Sequence, residues 1–444
     1  MERYDLLVIG SGSAGSAAAQ ICRQKGWSVA IADKRPFGGT CSLRGCNPKR
    51  LMAGVAEVAE RSRLLATKGI KEPASVDWEA MMHFKHHMTS GIPQFNEKLF
   101  KKLLIDTVHG SASFLSENRV KVGDREIEAQ NIVIATGSKP AALTIEGSEH
   151  IITSDQFLEL ERFPSSVVFI GGGYISFEFA HIAAMAGAKV YVVESAARPL
   201  IAFDQDIVKL FIDACQSFGI EVLPNTSVES IVKGRQGEYV VSLENSTIEC
   251  GLVVHGAGRV PETDELQLKN ARIETDKGGI ITNTFLQSKT NRSVYIAGDV
   301  NPRGIKLTTV AAMEGRTAAY NMLYGNTTIP DYSAVASIVF SFPQIASAGL
   351  TEREAQEQGI DYQVVFQNTS KKHITRRLGM SHSAYKLLLD SNGHHLLGAH
   401  LLGYNCDEVI NCFLLAIKSH VGVKALKDMN WSFPSVTYDS IQRI

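Results

Sequence analysis

An α/β fold with two Rossmann-like domains and a C-terminal α+β domain is predicted from three observations on this 444-residue sequence. The chain opens with a strand, a glycine-rich turn, a helix and a second strand that ends in an acid. The same succession returns from residue 167, with its acid at the same spacing. Beyond about residue 330 the texture changes, and strand-like runs alternate with polar stretches before a long apolar helix.

In the first unit, residues 4–9 read as an apolar strand, Gly10-Ser-Gly12-Ser-Ala-Gly15 as the turn, and residues 16–25 as an alanine-rich helix. Residues 28–32 form the next strand, and Asp33 stands at its end. A lone GxGxxG carries little weight, but a strand before it, a helix after it and an acid about twenty residues on make it informative. In the second unit, residues 167–170 are the strand, Gly171-Gly-Gly173-Tyr174-Ile-Ser176 the turn, and residues 177–186 the helix. The strand at 190–193 ends in Glu194. Asp33 lies 23 residues after Gly10, and Glu194 lies 23 after Gly171.

The pattern has a direct chemical reading. The first glycine makes a tight turn, the second admits a pyrophosphate close to the backbone, and the third lets helix and strand pack closely. Unpaired N–H groups at the helix start attract the phosphates. The closing acid accepts from ribose hydroxyls. Ser176 replaces the third glycine in the second copy, a small residue that weakens the match without breaking it. Two dinucleotide sites in one chain imply electron transfer between two dinucleotides. The C-terminal part, with strands at 337–340 and 385–389 and a helix at 407–420, shows no such turn.

Composition narrows the function classes. Apolar residues make up 44% and charged residues 20%, ordinary for a globular enzyme. A formal net charge of −1 and the absence of a long basic block argue against nucleic acid or an acidic membrane surface as partner. No apolar run approaches a bilayer span. A strand beginning at Tyr4 leaves no room for a signal peptide, so the expected compartment is the cytoplasm. Of seven cysteines, Cys22, Cys215, Cys250, Cys406 and Cys412 are scattered and read as buried or free thiols. No metal site is expected. Cys41 and Cys46 sit apart from that group, within a glycine-rich segment.

That segment, Gly38-Gly39-Thr40-Cys41-Ser-Leu-Arg44-Gly-Cys46-Asn-Pro-Lys49, resembles the signature of the class I pyridine nucleotide–disulfide oxidoreductases, the family of glutathione reductase, dihydrolipoamide dehydrogenase and mercuric reductase. Ala135-Thr136-Gly137, Gly256-Ala-Gly258-Arg259-Val-Pro261 and Ala297-Gly298-Asp299 are similar to further family motifs, in the family's order. The resemblance implies FAD at Gly10, Gly12, Gly15, Asp33, Gly39, Thr40, Thr136, Gly137 and Asp299. It implies a nicotinamide dinucleotide at Gly171, Gly173, Tyr174, Glu194 and Gly258. It makes Cys41 the interchange thiol, Cys46 the thiol against the flavin, Lys49 and Glu178 an ion pair near the flavin, and Tyr174 the gate of the nicotinamide pocket. The implied division is an FAD domain over 1–145, an NAD(P) domain over 146–254, a return to the FAD side over 255–328 and a dimerisation domain over 329–444. The implied assembly is a homodimer acting on a small molecule. Glu194 would repel a 2′-phosphate, and Ser195 and Ile201 stand where the glutathione reductase branch has arginines, leaving Arg198 as the nearby cation. NADH is therefore expected over NADPH. A thiol pair near a helix start is expected to favour the thiolate.

The sequence departs from this family near its C-terminus. Typical members carry His-Pro-Thr with a glutamate five residues after the histidine, and that histidine moves protons to and from the interchange thiol. Here Phe433 occupies the histidine position and Tyr438 the glutamate position, matched through Pro434. Phenylalanine carries no proton, and tyrosine, with an ordinary pKa of about 10, is a poor acid–base group near neutrality. General acid–base help is worth about 10² to 10⁴ in rate. Three functions follow as expectations: a reductase of small disulfides or thiol-reactive compounds with another group such as His373 in the role, a carbanion-forming enzyme that cleaves thioethers, or a redox sensor with little turnover. His400 and His420 read as packing or surface residues. At Phe433 the chain resembles 2-ketopropyl-coenzyme M oxidoreductase/carboxylase, where the carbanion must meet carbon dioxide rather than a proton. No residue that would bind the coenzyme M sulfonate is identified, although Arg44 lies between the cysteines.

Overall fold

Burial of both faces along the second half of the first strand sets the architecture of the N-terminal sheet. Strand Glu2–Ile9 pairs in parallel with Val29–Asp33 on one side and Arg125–Ile134 on the other. Leu7, Ile9, Ala30 and Ala32 enter one core, while Leu6, Val8, Val29 and Ile31 enter the opposite one. A strand apolar on both faces belongs inside a covered parallel sheet. In this computed structural model, which describes residues 1–235 and 237–442, the sheet runs Asp106–His109, Val29–Asp33, Glu2–Ile9, Arg125–Ile134, Arg119–Val122, Ala112–Phe114, and Val294–Ile296 also pairs with Arg125–Ile134. Helices Ser13–Gln24 and Thr308–Tyr324 cover one face. Gly315 meets the carbonyl of Ala14 so closely that a Cβ there would collide. This first unit comprises residues 1–48, 86–141 and 259–332.

The second unit comprises residues 49–85, 142–258 and 333–444. It holds a parallel sheet in the order Ile220–Leu223, Lys189–Val193, Ser166–Ile170, Leu252–His255. Beside it lies an antiparallel ribbon of Val228–Lys233, Tyr239–Leu243 and Thr247–Cys250. Helix Tyr174–Met185 buries Phe177, Phe179, Ala180, Ile182 and Ala183 in the largest core of this unit. The C-terminal part is an antiparallel sheet in the order Ala336–Val339, Gln344–Gly349, Leu396–Gly403, Ala384–Asp390, Tyr362–Asn368. Helix Cys406–Lys418 packs on it through Val409, Ile410, Phe413 and Ala416, the spacing of one helical face.

The architecture is the predicted α/β class with an α+β C-terminal part. Element ends differ. The first two glycine-turn helices start at Ser13 and Tyr174 rather than at 16 and 177, because the helix begins inside the turn and presents its N–H groups there. The apolar helix stops at Lys418 rather than 420, and His420 takes a left-handed φ of 49°. Cys22, Cys215, Cys250 and Cys406 are buried thiols and Cys412 is half-buried. No helix among the described residues is long and apolar enough to cross a membrane.

One buried cation links separate elements of the second unit. Lys386, 1% exposed, lies on strand Ala384–Asp390, one in from the edge of the C-terminal sheet. Its ammonium meets Asp204 at 3.0 Å, Asp206 at 2.6 Å and the carboxylate of Glu352. Burial alone would lower its pKa, but the three carboxylates outweigh that and raise it. Asp204 also caps helix Gln205–Ser217 through the N–H of Asp206. Removing the ammonium would leave the buried Asp204 carboxylate without its cation, beside the partly exposed Asp206 and Glu352. Lys386→Met is expected to cost about 3–5 kcal/mol of stability in urea unfolding, and a change within the error of the measurement would contradict this assignment.

Candidate active site

In the first glycine loop, Gly10 adopts φ 110° against the carbonyl of Ala135, a conformation and a space that exclude a side chain. Asp33 clamps the loop: one carboxylate oxygen accepts from the Ser11 N–H at 2.8 Å and from its hydroxyl at 2.7 Å, and the other from the Arg35 N–H. Helix Ser13–Gln24 has no side-chain cap, so its first N–H groups remain available to an anion. Gly39 approaches the same loop, and a Cβ on it would stand 2.5 Å from the Gly12 Cα. Gly15 packs on Val8 and the Gly10 carbonyl. Thr40 follows on the short helix Gly39–Arg44 and faces solvent.

The second loop repeats the clamp with other atoms. Glu194 accepts from the Gly172 N–H at 2.6 Å and from the Ala196 N–H at 2.7 Å. Gly171 has φ 96°, and helix Tyr174–Met185 begins behind Gly173 without a side-chain cap. The Ser176 substitution is accommodated from the opposite side. Its hydroxyl is buried against Gly256, where a Cβ would collide, so the small residue needed for close packing has moved to the neighbouring strand end. Gly258 has φ 97°. Arg198 does not face the loop acid; its guanidinium donates to the carbonyls of Phe203 at 2.8 Å and Ile201 at 3.2 Å.

Cys41 lies on helix Gly39–Arg44, and Cys46 opens the long helix Cys46–Leu64. Both are free thiols, and the Cys41 thiol is hydrogen-bonded to Cys46. That bond, with burial adding to it, pushes Cys41 above the ordinary thiol range, so the pair does not act as two independently activated thiolates. Thr308 completes the group, with its hydroxyl 3.4 Å from the Cys46 sulfur.

On the same helix as Cys46, Lys49 is buried and pairs with Glu178 at 2.5 Å. The second Glu178 oxygen accepts from the Phe340 N–H at 3.1 Å. The Lys49 ammonium also stands 5.1 Å from the centre of the Tyr174 ring, which is partly exposed. In the C-terminal segment Phe433 is 74% exposed and meets Tyr438 edge-on, with ring centres 5.1 Å apart. Ser435 caps the helix Val436–Ile441 that carries Tyr438. His400 is buried between the Ser347 hydroxyl and the Leu350 carbonyl, and its pKa is lowered, chiefly by burial. His373 lies exposed in a run of basic residues, and His420 is exposed at a helix end.

Comparison with known proteins decides what this arrangement is. A family model described as pyridine nucleotide-disulphide oxidoreductase matches residues 4–315, and its dimerisation-domain model matches residues 335–439. The chain belongs to the pyridine nucleotide-disulphide oxidoreductases. It is similar to a glutathione reductase of Nostoc sp., 31% identical over 440 residues and covering 94% of each chain. It is also similar to a dihydrolipoyl dehydrogenase of Chlamydia muridarum, 30% identical over 98% of this chain and 95% of that one. Among solved structures it resembles the Cu(II) complex of the HOCl-induced flavoprotein disulfide reductase RclA from Escherichia coli. There the TM-score is 0.89 at 26% identity, covering 100% of this chain and 98% of that one. Cys41 and Cys46 match the redox-active disulfide motif of these flavoprotein oxidoreductases.

The residues present fit FAD, the flavin this family uses. The Thr136 hydroxyl is buried without a protein partner, the first helix is uncapped, and the Gly10, Gly12 and Gly39 backbones make a cradle that a side chain would fill. Gly137, at φ 76°, follows Thr136. Asp299 is held at 3.3 Å from the Ser138 hydroxyl, which also receives Arg259 at 3.0 Å, and burial raises its pKa. Sequence reasoning missed Thr308, Ser138, Phe340 and the buried Glu314, which accepts from the Gly298 N–H at 2.7 Å and shapes the turn before Asp299. None belongs to a local motif. Gly39→Ala combines a positive φ with a collision, and strain of about 1–3 kcal/mol is expected to loosen FAD roughly tenfold. The ratio of flavin to protein absorbance after dialysis measures this, and undiminished flavin would contradict the cradle.

Proposed function

We propose that this oxidoreductase takes electrons from NADH through FAD to Cys41 and Cys46, and passes them to a small disulfide or other thiol-reactive substrate without a histidine–carboxylate dyad. The observation that carries this reading is the Cys41–Cys46 thiol pair beside Thr308. FAD, when bound, would carry the hydride equivalent of NADH to the cysteine pair. The proposed domain division is 1–145 and 255–328 for FAD, 146–254 for NADH and 329–444 for dimerisation, with one homodimer as the working unit.

The chain's own residues then have distinct tasks. Cys41 attacks one sulfur of the substrate disulfide, a mixed disulfide forms, and one substrate thiolate leaves. Cys46 then attacks the Cys41 sulfur, the second substrate thiolate departs, and the Cys41–Cys46 disulfide forms with two electrons spent. Solvent supplies the protons that a histidine delivers elsewhere in the family. Lys49 keeps a fixed positive charge because Glu178 accompanies it into the interior, and the Phe340 N–H fixes the carboxylate. Tyr174, packed on Lys49 and partly exposed, would move aside for the nicotinamide. Glu194 excludes a 2′-phosphate, and Arg198 is committed to backbone carbonyls.

The aromatic pair Phe433–Tyr438 favours a second reading, thioether cleavage that leaves a carbanion protected from protons. Retention of the whole electron route argues against a sensor with little turnover.

Steady-state kinetics are expected to give NADH a kcat/KM at least about tenfold above NADPH, and parity would remove Glu194 from that role. Phe433→His is expected to speed disulfide turnover by about tenfold or more. If no member of a disulfide panel is turned over by an enzyme that NADH reduces, the first reading fails. An unchanged product ratio in the same variant acting on a β-ketothioether counts against the second.

A further inference from the structure

Glu314 is fully buried on helix Thr308–Tyr324, and the electron route above gives its charge no task. Donors from separate parts of the first unit converge on its carboxylate. One oxygen accepts from the Gly298 N–H at 2.7 Å, the other from the Asn301 amide at 2.9 Å and the Tyr332 hydroxyl at 2.5 Å. Burial works against such a charge and pushes the Glu314 pKa up. The partners nevertheless require acceptors. The Gly298 N–H can only donate, and Asn301 is held in its orientation by the Arg303 N–H on its amide oxygen at 3.2 Å. Both carboxylate oxygens are therefore needed as acceptors, which an amide in their place cannot supply.

The pieces that this carboxylate ties together give it meaning. Asp299 follows Gly298 directly, and the Asn301 N–H returns to the Gly298 carbonyl at 2.7 Å. From Asn301 the chain wraps the carboxylate closely, so that a Cβ on Gly304 would stand 2.3 Å from its oxygen. It then enters the helix at Thr308, whose hydroxyl lies 3.4 Å from the Cys46 sulfur. Glu314 stands less than two turns further along that helix. Its neighbour Gly315 seats the helix on the Ala14 carbonyl, and Gly298, at φ 80°, packs on the Ala14 side chain. A single anion thus joins the turn before Asp299 to the helix whose first residue meets Cys46.

We propose that Glu314 is a positioning residue that holds Asp299 and Thr308 in one fixed relation, and so sets how FAD lies against the Cys46 sulfur. The inference rests on the reading that FAD binds at Asp299 and passes electrons to the cysteine pair. Glu314 acts through the Gly298 N–H and through its own helix. A thiolate donates charge to an electron-poor flavin only in close contact, and such contacts tolerate little looseness in the parts that hold them. A loosened loop would therefore lose the thiolate–flavin contact before the fold is lost.

The test compares FAD-loaded Glu314→Gln and Tyr332→Phe variants with the wild type. Both disturb the same buried group, but only the first sets a donor against the donors of the loop. One equivalent of NADH per subunit, added anaerobically, breaks the Cys41–Cys46 disulfide and leaves NAD⁺, one thiol and one thiolate. The long-wavelength absorbance that the thiolate lends to the flavin is recorded, together with the FAD dissociation constant. Glu314→Gln is expected to bind FAD about tenfold more weakly and to lose most of that band, while Tyr332→Phe keeps both near wild type. Should Glu314→Gln fold poorly, Asn301→Ala, which leaves the charge and removes one tether, shows the same losses in smaller measure. Wild-type affinity and band in the loop variants, or equal losses in Tyr332→Phe, overturn the inference. If the wild type consumes NADH without showing the band, the electron-route reading fails instead, and the FAD affinities still decide whether Glu314 holds Asp299.

Discussion

Each glycine loop in this chain is held by the acid that ends the following strand, and the rest of the site depends on that clamp. Asp33 grips the N–H and hydroxyl of Ser11, and Glu194 grips the N–H of Gly172. The clamp fixes the start of each helix, and the uncapped helix start is what offers N–H groups to a pyrophosphate. In the first unit the same loop sets the limit for Gly39, and Gly39 begins the short helix that carries Cys41. The acids that would bind ribose are therefore also structural, which explains why the spacing to them is kept in both copies.

The chain carries the family's cysteine motif, while Phe433 and Tyr438 stand where the family resemblance implies a histidine and a glutamate. Lys49 and Glu178 are buried together, and each would be costly to hold alone. Cys41 and Cys46 share a hydrogen bond, so their protons belong to the pair. Nothing in that arrangement requires a histidine for reduction of the pair. In the segment where typical members of the family carry the histidine, Phe433 and Tyr438 meet edge-on. The family resemblance thus covers how electrons arrive more fully than how they leave.

Much of this was legible in the sequence because it is local. The two glycine turns, their strands and their acids lie within short windows, and hydrophobic periodicity marked the helix Cys406–Lys418 within a residue or two at each end. Ser176 could be read as a weakened match, but its compensation by Gly256 could not, since the two lie far apart in sequence. Thr308 reaches Cys46 across 262 positions, and Phe340 reaches Glu178 across 162. Lys386 looks in sequence like one polar residue in an apolar strand, and only the fold brings Asp204, Asp206 and Glu352 to it. The coupling of Cys41 to Cys46 through a hydrogen bond depends in the same way on side-chain placement that sequence does not give.

The central claim is that electrons from NADH come to rest on Cys41 and Cys46. Anaerobic addition of NADH to the oxidised, FAD-loaded enzyme, followed by maleimide labelling and mass mapping, tests it most directly. The account predicts two additional labelled thiols per subunit after NADH, located at Cys41 and Cys46. An unchanged thiol count, with NADH consumed or the flavin bleached, would contradict it.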